Sequence, residues 1–217
     1  MEEYRAILKR VGLVLIAVGL CDIIFMIYCV SQGQSYSSSF NIFAVIAGVF
    51  FLRGNLTAVR YVTFFAAFML TGFVGVACIG PFILPTGIWV AGIRFHPIAL
   101  TASVLVGGGV IALLAWVYKQ LRRPPVLAVR KAMGQSTTRP SSAFAAGVAL
   151  VIFAMVTGYF TFKGSPGTKA VELARGKYGN GYSYYVTSIR WSGEHVAARL
   201  NAYNDREERT VEVKWDQ

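Results

Sequence analysis

Acidic side chains are scarce in this sequence, and scarcest in its first three-quarters. Ten Asp and Glu stand against twenty-one Lys and Arg, and residues 1–162 hold only Glu2, Glu3 and Asp22. Charged residues make up 14% of the chain, where a soluble domain carries about 25%, and apolar residues make up 55%. That balance excludes an ordinary water-soluble fold. Cysteine is also rare. Cys21, Cys29 and Cys78 all fall inside hydrophobic runs, and no CxxC or Cys/His cluster occurs. A disulfide framework and a structural zinc site are excluded, and the three thiols read as small apolar side chains. The two histidines, His96 and His195, lie outside the hydrophobic runs, which excludes a haem held by paired intramembrane histidines. HExxH, GxSxG, a Ser/His/Asp arrangement and a GxxxxGK[ST] loop are all missing. No cofactor, metal or catalytic residue is expected, and the chain leans away from being an enzyme.

The net charge of +11 raises nucleic acid as a partner, but its distribution argues otherwise. Residues 1–162 carry +9 and residues 163–217 only +2, so the excess sits beside hydrophobic runs, where it serves membrane orientation. The lipid bilayer is the partner this pattern implies, and no nucleic-acid partner is expected.

What the chain has in quantity is long hydrophobic runs. Ala143–Phe162 is twenty residues without a charge, about the 30 Å of a hydrocarbon core at 1.5 Å per residue. Four other runs read as spans: Val11–Val30, Ser37–Leu52 (short), Tyr61–Ile79, stopped by Gly80-Pro81, and Ile98–Tyr118. The first is too long for a secretory h-region and no small-x-small site follows it, so it reads as a retained helix. Phe82–Pro97, apolar but broken by Pro85 and Gly87, reads as an interfacial or re-entrant loop. The expected fold class is an α-helical polytopic membrane protein of about five transmembrane helices with a small C-terminal α+β domain. Its divisions are a four-helix module over 1–118, a basic linker over 119–142, a fifth helix over 143–162 and a tail over 163–217.

Lysine and arginine counts orient the spans. The N-terminus carries three (Arg5, Lys9, Arg10), the loop after the second span two (Arg53, Arg60) and the loop before the fifth six (Lys119, Arg122, Arg123, Arg130, Lys131, Arg139). The alternate loops carry none over Ser31–Ser39 and one, Arg94, over Phe82–Pro97. The N-terminus is therefore expected in the cytoplasm and the tail outside, as in a bacterial inner-membrane protein with a periplasmic domain. Within the basic linker, Val126–Met133 reads as a short amphipathic helix with Arg130 and Lys131 on its polar side against anionic lipid. Ala67, Thr71 and Gly75, and on the fifth span Ala143 with Gly147, repeat every four residues, a spacing that lets helices approach closely. Gly107-Gly108-Gly109 marks a kink, a tight crossing or a flexible point.

In the tail, Thr168–Arg175 reads as a helix capped by Gly176, followed by strands Tyr182–Trp191, His195–Tyr203 and Glu208–Trp215. Val196, Ala198, Leu200 and Ala202 alternate, as do Val211, Val213 and Trp215, giving each strand one apolar face. The strands form an antiparallel meander whose edges offer backbone hydrogen bonds to a partner.

Three groups of residues are candidate sites. Asp22 is an acid deep in the first span, either a proton or cation relay or an acid bonded to a neighbouring helix, with Thr71 and Ser103 as partners. Arg94 and His96 beside Trp89 suit an anion or a lipid headgroup, or else an interfacial anchor. Tyr182, Tyr184, Tyr185 and Trp191, with Tyr178 nearby, form either a partner surface or the small core of the tail. The expected function is a non-enzymatic membrane protein whose outer tail binds a protein partner or a second copy in an assembly, accessory, regulatory or immunity role. The alternative is a small transporter, channel or lipid-handling protein working through Asp22 and the Arg94/His96 loop, with a lipid-modifying enzyme behind both.

Overall fold

The computed structural model describes residues 2–33, 36, 40–83 and 85–216, with the backbone alone of Phe40, Asn41 and Ile83. Among them the helices are α1 (Glu2–Ser31), α2 (Phe40–Leu52), α3 (Leu56–Ile83), α4 (Thr86–Phe95), α5 (Pro97–Leu121), α6 (Pro124–Ala132), α7 (Ser141–Lys163) and α8 (Ser165–Tyr178). The strands are β1 (Ser183–Ser192), β2 (His195–Tyr203) and β3 (Glu208–Asp216). The chain is mostly helical, with a C-terminal three-stranded antiparallel sheet. Among the described residues four stretches are long and apolar enough to cross a membrane: α1, α3, α5 and the one opened by α7; α2, at thirteen residues, is shorter. The start expected for the second span, Ser37–Ser39, lies outside the described residues.

Several helices outrun their hydrophobic runs. Glu2 and Glu3 occupy the first turn of α1, where carboxylates suit the helix dipole. Asn55 caps α3, its Oδ1 accepting from the backbone N–H of Thr57 (2.9 Å) and Ala58 (3.1 Å), so that helix begins five residues before Tyr61. Pro81 does not stop α3, which continues to Ile83. This close to the helix end, the missing N–H removes a single bond.

The fold divides into two compact units, Met1–Thr71 with Val110–Gly147 and Gly72–Gly109 with Val148–Gln217. The core of the first joins the start of α1 (Leu8, Val11, Leu15), the end of α2 (Phe51), the start of α3 (Leu56, Val59), the end of α5 (Leu114, Val117, Leu121) and Val126 of α6. The basic residues flanking these segments therefore collect at one end of the unit. Helices α1 and α2 pack as an antiparallel pair through glycine. A Cβ on Gly48 would lie 2.6 Å from the Gly12 carbonyl oxygen, and one on Gly12 would lie 2.8 Å from that of Gly48. Gly147 likewise fits against Thr71 and the Phe68 carbonyl, so the small residues of α3 and α7 serve internal packing in this unit. Tyr118 meets Phe144 edge-on at 5.8 Å, bringing the start of α7 to the end of α5. One expectation is overturned. Arg130, read as lying on the polar side of its helix, is 4% exposed.

In the second unit α4 and α5 are joined through His96 alone, whose N–H closes α4 on the Gly92 carbonyl at 2.9 Å. The 82–97 segment is thus largely helix. Gly107, Gly108 and Gly109 sit inside an unbroken α5, and none of the described residues comes within 4 Å of a Cβ at any of them, so they mark no tight crossing within the described fold. Only Gly164 separates α7 from α8. The joint is close-set: a Cβ on Gly167 would fall 1.9 Å from the Phe162 carbonyl oxygen. Helix α8 runs on to Tyr178, and its closing glycine is Gly179 at φ 89°, rather than Gly176. The sheet order is β1-β2-β3, with Val186 opposite Leu200 and Leu200 opposite Val211. Ala170 and Ala174 of α8 close one face over Val186, Ala198, Leu200, Ala202, Val211 and Val213.

Candidate functional site

The sheet's second face follows from strand alternation. Residues between the buried positions of β2 point away from α8: Ala197, Arg199, Asn201 and Tyr203. Register adds Glu208 beside Tyr203 and Tyr185 beside Asn201. At this corner the face meets α4. A Cβ on Gly87 would lie 2.8 Å from both Cε2 and Oη of Tyr203, so glycine is what admits the phenol ring. His96 Nε2, just past the end of α4, stands 3.8 Å from Glu208 Oε2. That is near enough for an ion pair when the imidazole carries a proton, and too long for a hydrogen bond. The other carboxylate oxygen of Glu208 accepts from Asn201 Nδ2 at 3.0 Å.

Two polar atoms of this unit are cut off from solvent and lack a hydrogen bond among the described residues, Glu208 Oε2 at the corner and Trp89 Nε1 in α4. Buried polar atoms are almost always paired, so an open acceptor and an open donor in α4 and the strand it meets are notable. Arg94 takes no part: it is exposed, with its guanidinium 5.8 Å from the Phe95 ring centre. The structure therefore gives His96 a partner in the tail and leaves Arg94 apart. Sequence reading missed Glu208, Asn201 and Tyr203.

Elsewhere, Asp22 accepts a hydrogen bond from Tyr36, whose ring meets Phe25 edge-on at 5.8 Å. Thr71 and Ser103, expected as partners, bond instead to the carbonyls of Ala67 and Ala99 in their own helices. The tyrosines divide between the two faces of the sheet. Tyr182 and Tyr184 pack on the α8 side, while Tyr185 faces the other way. Tyr182 donates to Glu207 with the Arg209 guanidinium 4.4 Å from its ring centre, and Tyr184 donates to the Gly179 carbonyl at 2.7 Å. The bond to Glu207 pushes the Tyr182 phenol above its ordinary pKa, and burial does the same at Tyr185. Trp191 is 49% exposed near the end of β1.

No protein-family model, curated protein or solved structure matches the chain. Any function has to be argued from this geometry. Among the described residues no group of three or more His, Cys, Asp or Glu is placed to hold a metal ion. The α4 corner offers a half-used carboxylate and an imidazole, a pair that suits hydrogen bonding and ion pairing.

Proposed function

We propose that this protein is a membrane-anchored accessory factor whose C-terminal α+β tail recruits another protein by adding one of that protein's strands to β1. The observation that carries the reading is the contrast between the two outer strands. β3 holds five charged residues in nine (Glu208, Arg209, Glu212, Lys214, Asp216), a composition that blunts edge pairing. β1 holds one in ten, Arg190, and keeps Trp191 half exposed as an aromatic anchor. The bulge between Val186 and Ser188 confines the addition to one arm of β1 at a time.

The finer topology belongs to the same reading: five crossings, N-terminus in the cytoplasm, tail outside, in a bacterial inner membrane. The antiparallel α1–α2 pair supports it, since Gly12 meets Gly48 while Asp22, farther along α1, meets Tyr36, which precedes α2. The chain thus returns to the end where α1 began, where α3 starts and α5 finishes. The Gly87–Tyr203 and His96–Glu208 contacts support an outer side shared by α4 and the tail.

A photo-crosslinking amino acid placed at Trp191 and, separately, at Lys214 tests the proposal in intact cells. One discrete protein adduct at Trp191, absent at Lys214 and outcompeted by a tail fragment with native β1, is expected. Equal labelling at both positions, or none at Trp191, refutes it. Alkaline phosphatase fused after Asp216 should be active; a dark phosphatase with a fluorescent green protein at the same site removes the topology.

A further inference from the structure

The basic end of the first unit holds arginines that no salt bridge among the described residues balances. Arg130 of α6 is 4% exposed, a costly position for a guanidinium. Its Nη2 donates to the Ser136 carbonyl at 2.7 Å, while its Nε is sealed from solvent with no partner among the described residues. Arg122, just past the end of α5, reaches the same loop, with Nη1 3.0 Å from the Thr138 carbonyl and Nη2 3.3 Å from that of Thr137. Two guanidiniums are therefore fixed on three consecutive carbonyls. The Ser136 and Thr138 hydroxyls on that loop bond to each other at 2.8 Å.

The unit's acids are Glu2, Glu3 and Asp22, and the described salt bridges all lie in the other unit. Burial holds Arg130 below its ordinary pKa, and the charges of Arg122 and then Arg60 act in the same direction. Like charges gathered in a poorly solvated place repel unless an anion comes between them. Guanidinium forks match phosphate oxygens in geometry, and each arginine keeps N–H groups beyond those spent on the loop.

We propose that Arg122 and Arg130, with the Ser136 and Thr138 hydroxyls, form a phosphate-binding site that takes the oxyanion of a lipid headgroup or of a free phosphate compound. This differs from a helix resting on anionic lipid, because buried Arg130 and the fixed loop define one place for one anion. It is independent of what β1 binds.

Full-length protein in phosphatidylcholine nanodiscs, titrated with inorganic phosphate at constant ionic strength, makes one arm of the test. Nanodiscs containing graded phosphatidic acid, with no free phosphate, make the other. A saturable rise in the thermal midpoint is expected in at least one arm, and which arm responds names the source. Arg122→Lys keeps the charge and loses the fork, so it should weaken binding about tenfold, the loss of one charge-assisted hydrogen bond. Lys131→Gln, which removes an exposed cation next to Arg130, should bind as the wild type does. These variants change no buried residue, so the test does not depend on Arg130 variants folding. Non-saturable shifts in both arms overturn the site. So does an Arg122→Lys protein that binds as tightly as the wild type, or a Lys131→Gln protein as impaired as Arg122→Lys.

Discussion

Alanine at Gly48 and alanine at Gly107 should move stability in opposite directions, although both glycines lie inside helices. At Gly48 the added Cβ would fall 2.6 Å from the Gly12 carbonyl oxygen and 2.5 Å from Ile16 Cγ1. The carbonyl belongs to the α1 backbone and cannot step aside alone. The helices must part along a seam that includes Val11, Leu15 and Phe51, each no more than 4% exposed. Overpacking costs about 1–3 kcal/mol, and against backbone that cannot yield the upper part, about 2–3, applies; the better helix propensity of alanine offsets about 1 of it, leaving a loss of roughly 1–2 kcal/mol. At Gly107 nothing lies within 4 Å of the new Cβ, so propensity acts alone. The gain is at most about 1 kcal/mol. Unfolding in mixed micelles by graded sodium dodecyl sulfate, followed by helical circular dichroism, reads both. The Gly48→Ala midpoint should fall and the Gly107→Ala midpoint hold or rise, with unchanged slopes. Gly12→Ala should repeat the loss. If Gly48→Ala matched or exceeded the wild type, the close fit of α2 on α1 would be refuted, and with it the return of the chain on which the five-crossing reading rests.

Three further outcomes are expected. Gly87→Val should push the Tyr203 ring aside and speed amide exchange in α4, with the interior of α8 unaffected; exchange rates equal to the wild type would deny the contact. Leu200→Ala, at a fully buried position in the tail core, should destabilise the tail by about 2–5 kcal/mol while the long helices keep their circular dichroism. A fall in overall helicity at the same temperature would count against that. Because Glu207 raises the Tyr182 pKa, the neutral phenol is the form the fold favours. Its contribution is present below the ordinary tyrosine value of about 10 and is lost as pH climbs through the higher folded value. Tyrosinate absorbance should therefore appear at lower pH in Glu207→Gln, and an unshifted titration would contradict the bond.

The tail was the most legible part of the sequence. Strict alternation in Val196–Ala202 and Val211–Trp215 fixed two strands, and β2 runs over His195–Tyr203, the limits read from the residues alone. Period two also implies that Tyr184 and Tyr185 cannot share a face, so their grouping as one surface was a reading the pattern itself argued against. Helix ends were less legible. Gly176 and Gly179 both suit a cap, and Pro81 deletes one bond to the preceding turn without ending α3, which runs two residues past it. Arg130 misled for a related reason. Charge at a helical spacing signals a solvated face, but α6 packs into a core drawn from four other helices, and short-range pattern carries no record of that. The corner of Glu208, Asn201 and Tyr203 with Gly87 and His96 joins segments about a hundred residues apart. Gly87 was read as a break in a run, though its lack of a side chain is what makes room for a ring.

The single residue between α7 and α8 leaves no slack between the long apolar helix and the tail. With the Phe162 carbonyl pressed to the Gly167 backbone, any tilt or rotation of α7 carries the sheet with it. On the proposed reading, the exposed arm of β1 is then held at one height above the bilayer and one bearing, so a mating strand anchored at the same height would meet it far more often than one arriving from solution. One extra residue after Lys163, if accommodated as helix, would swing that bearing through about 100°.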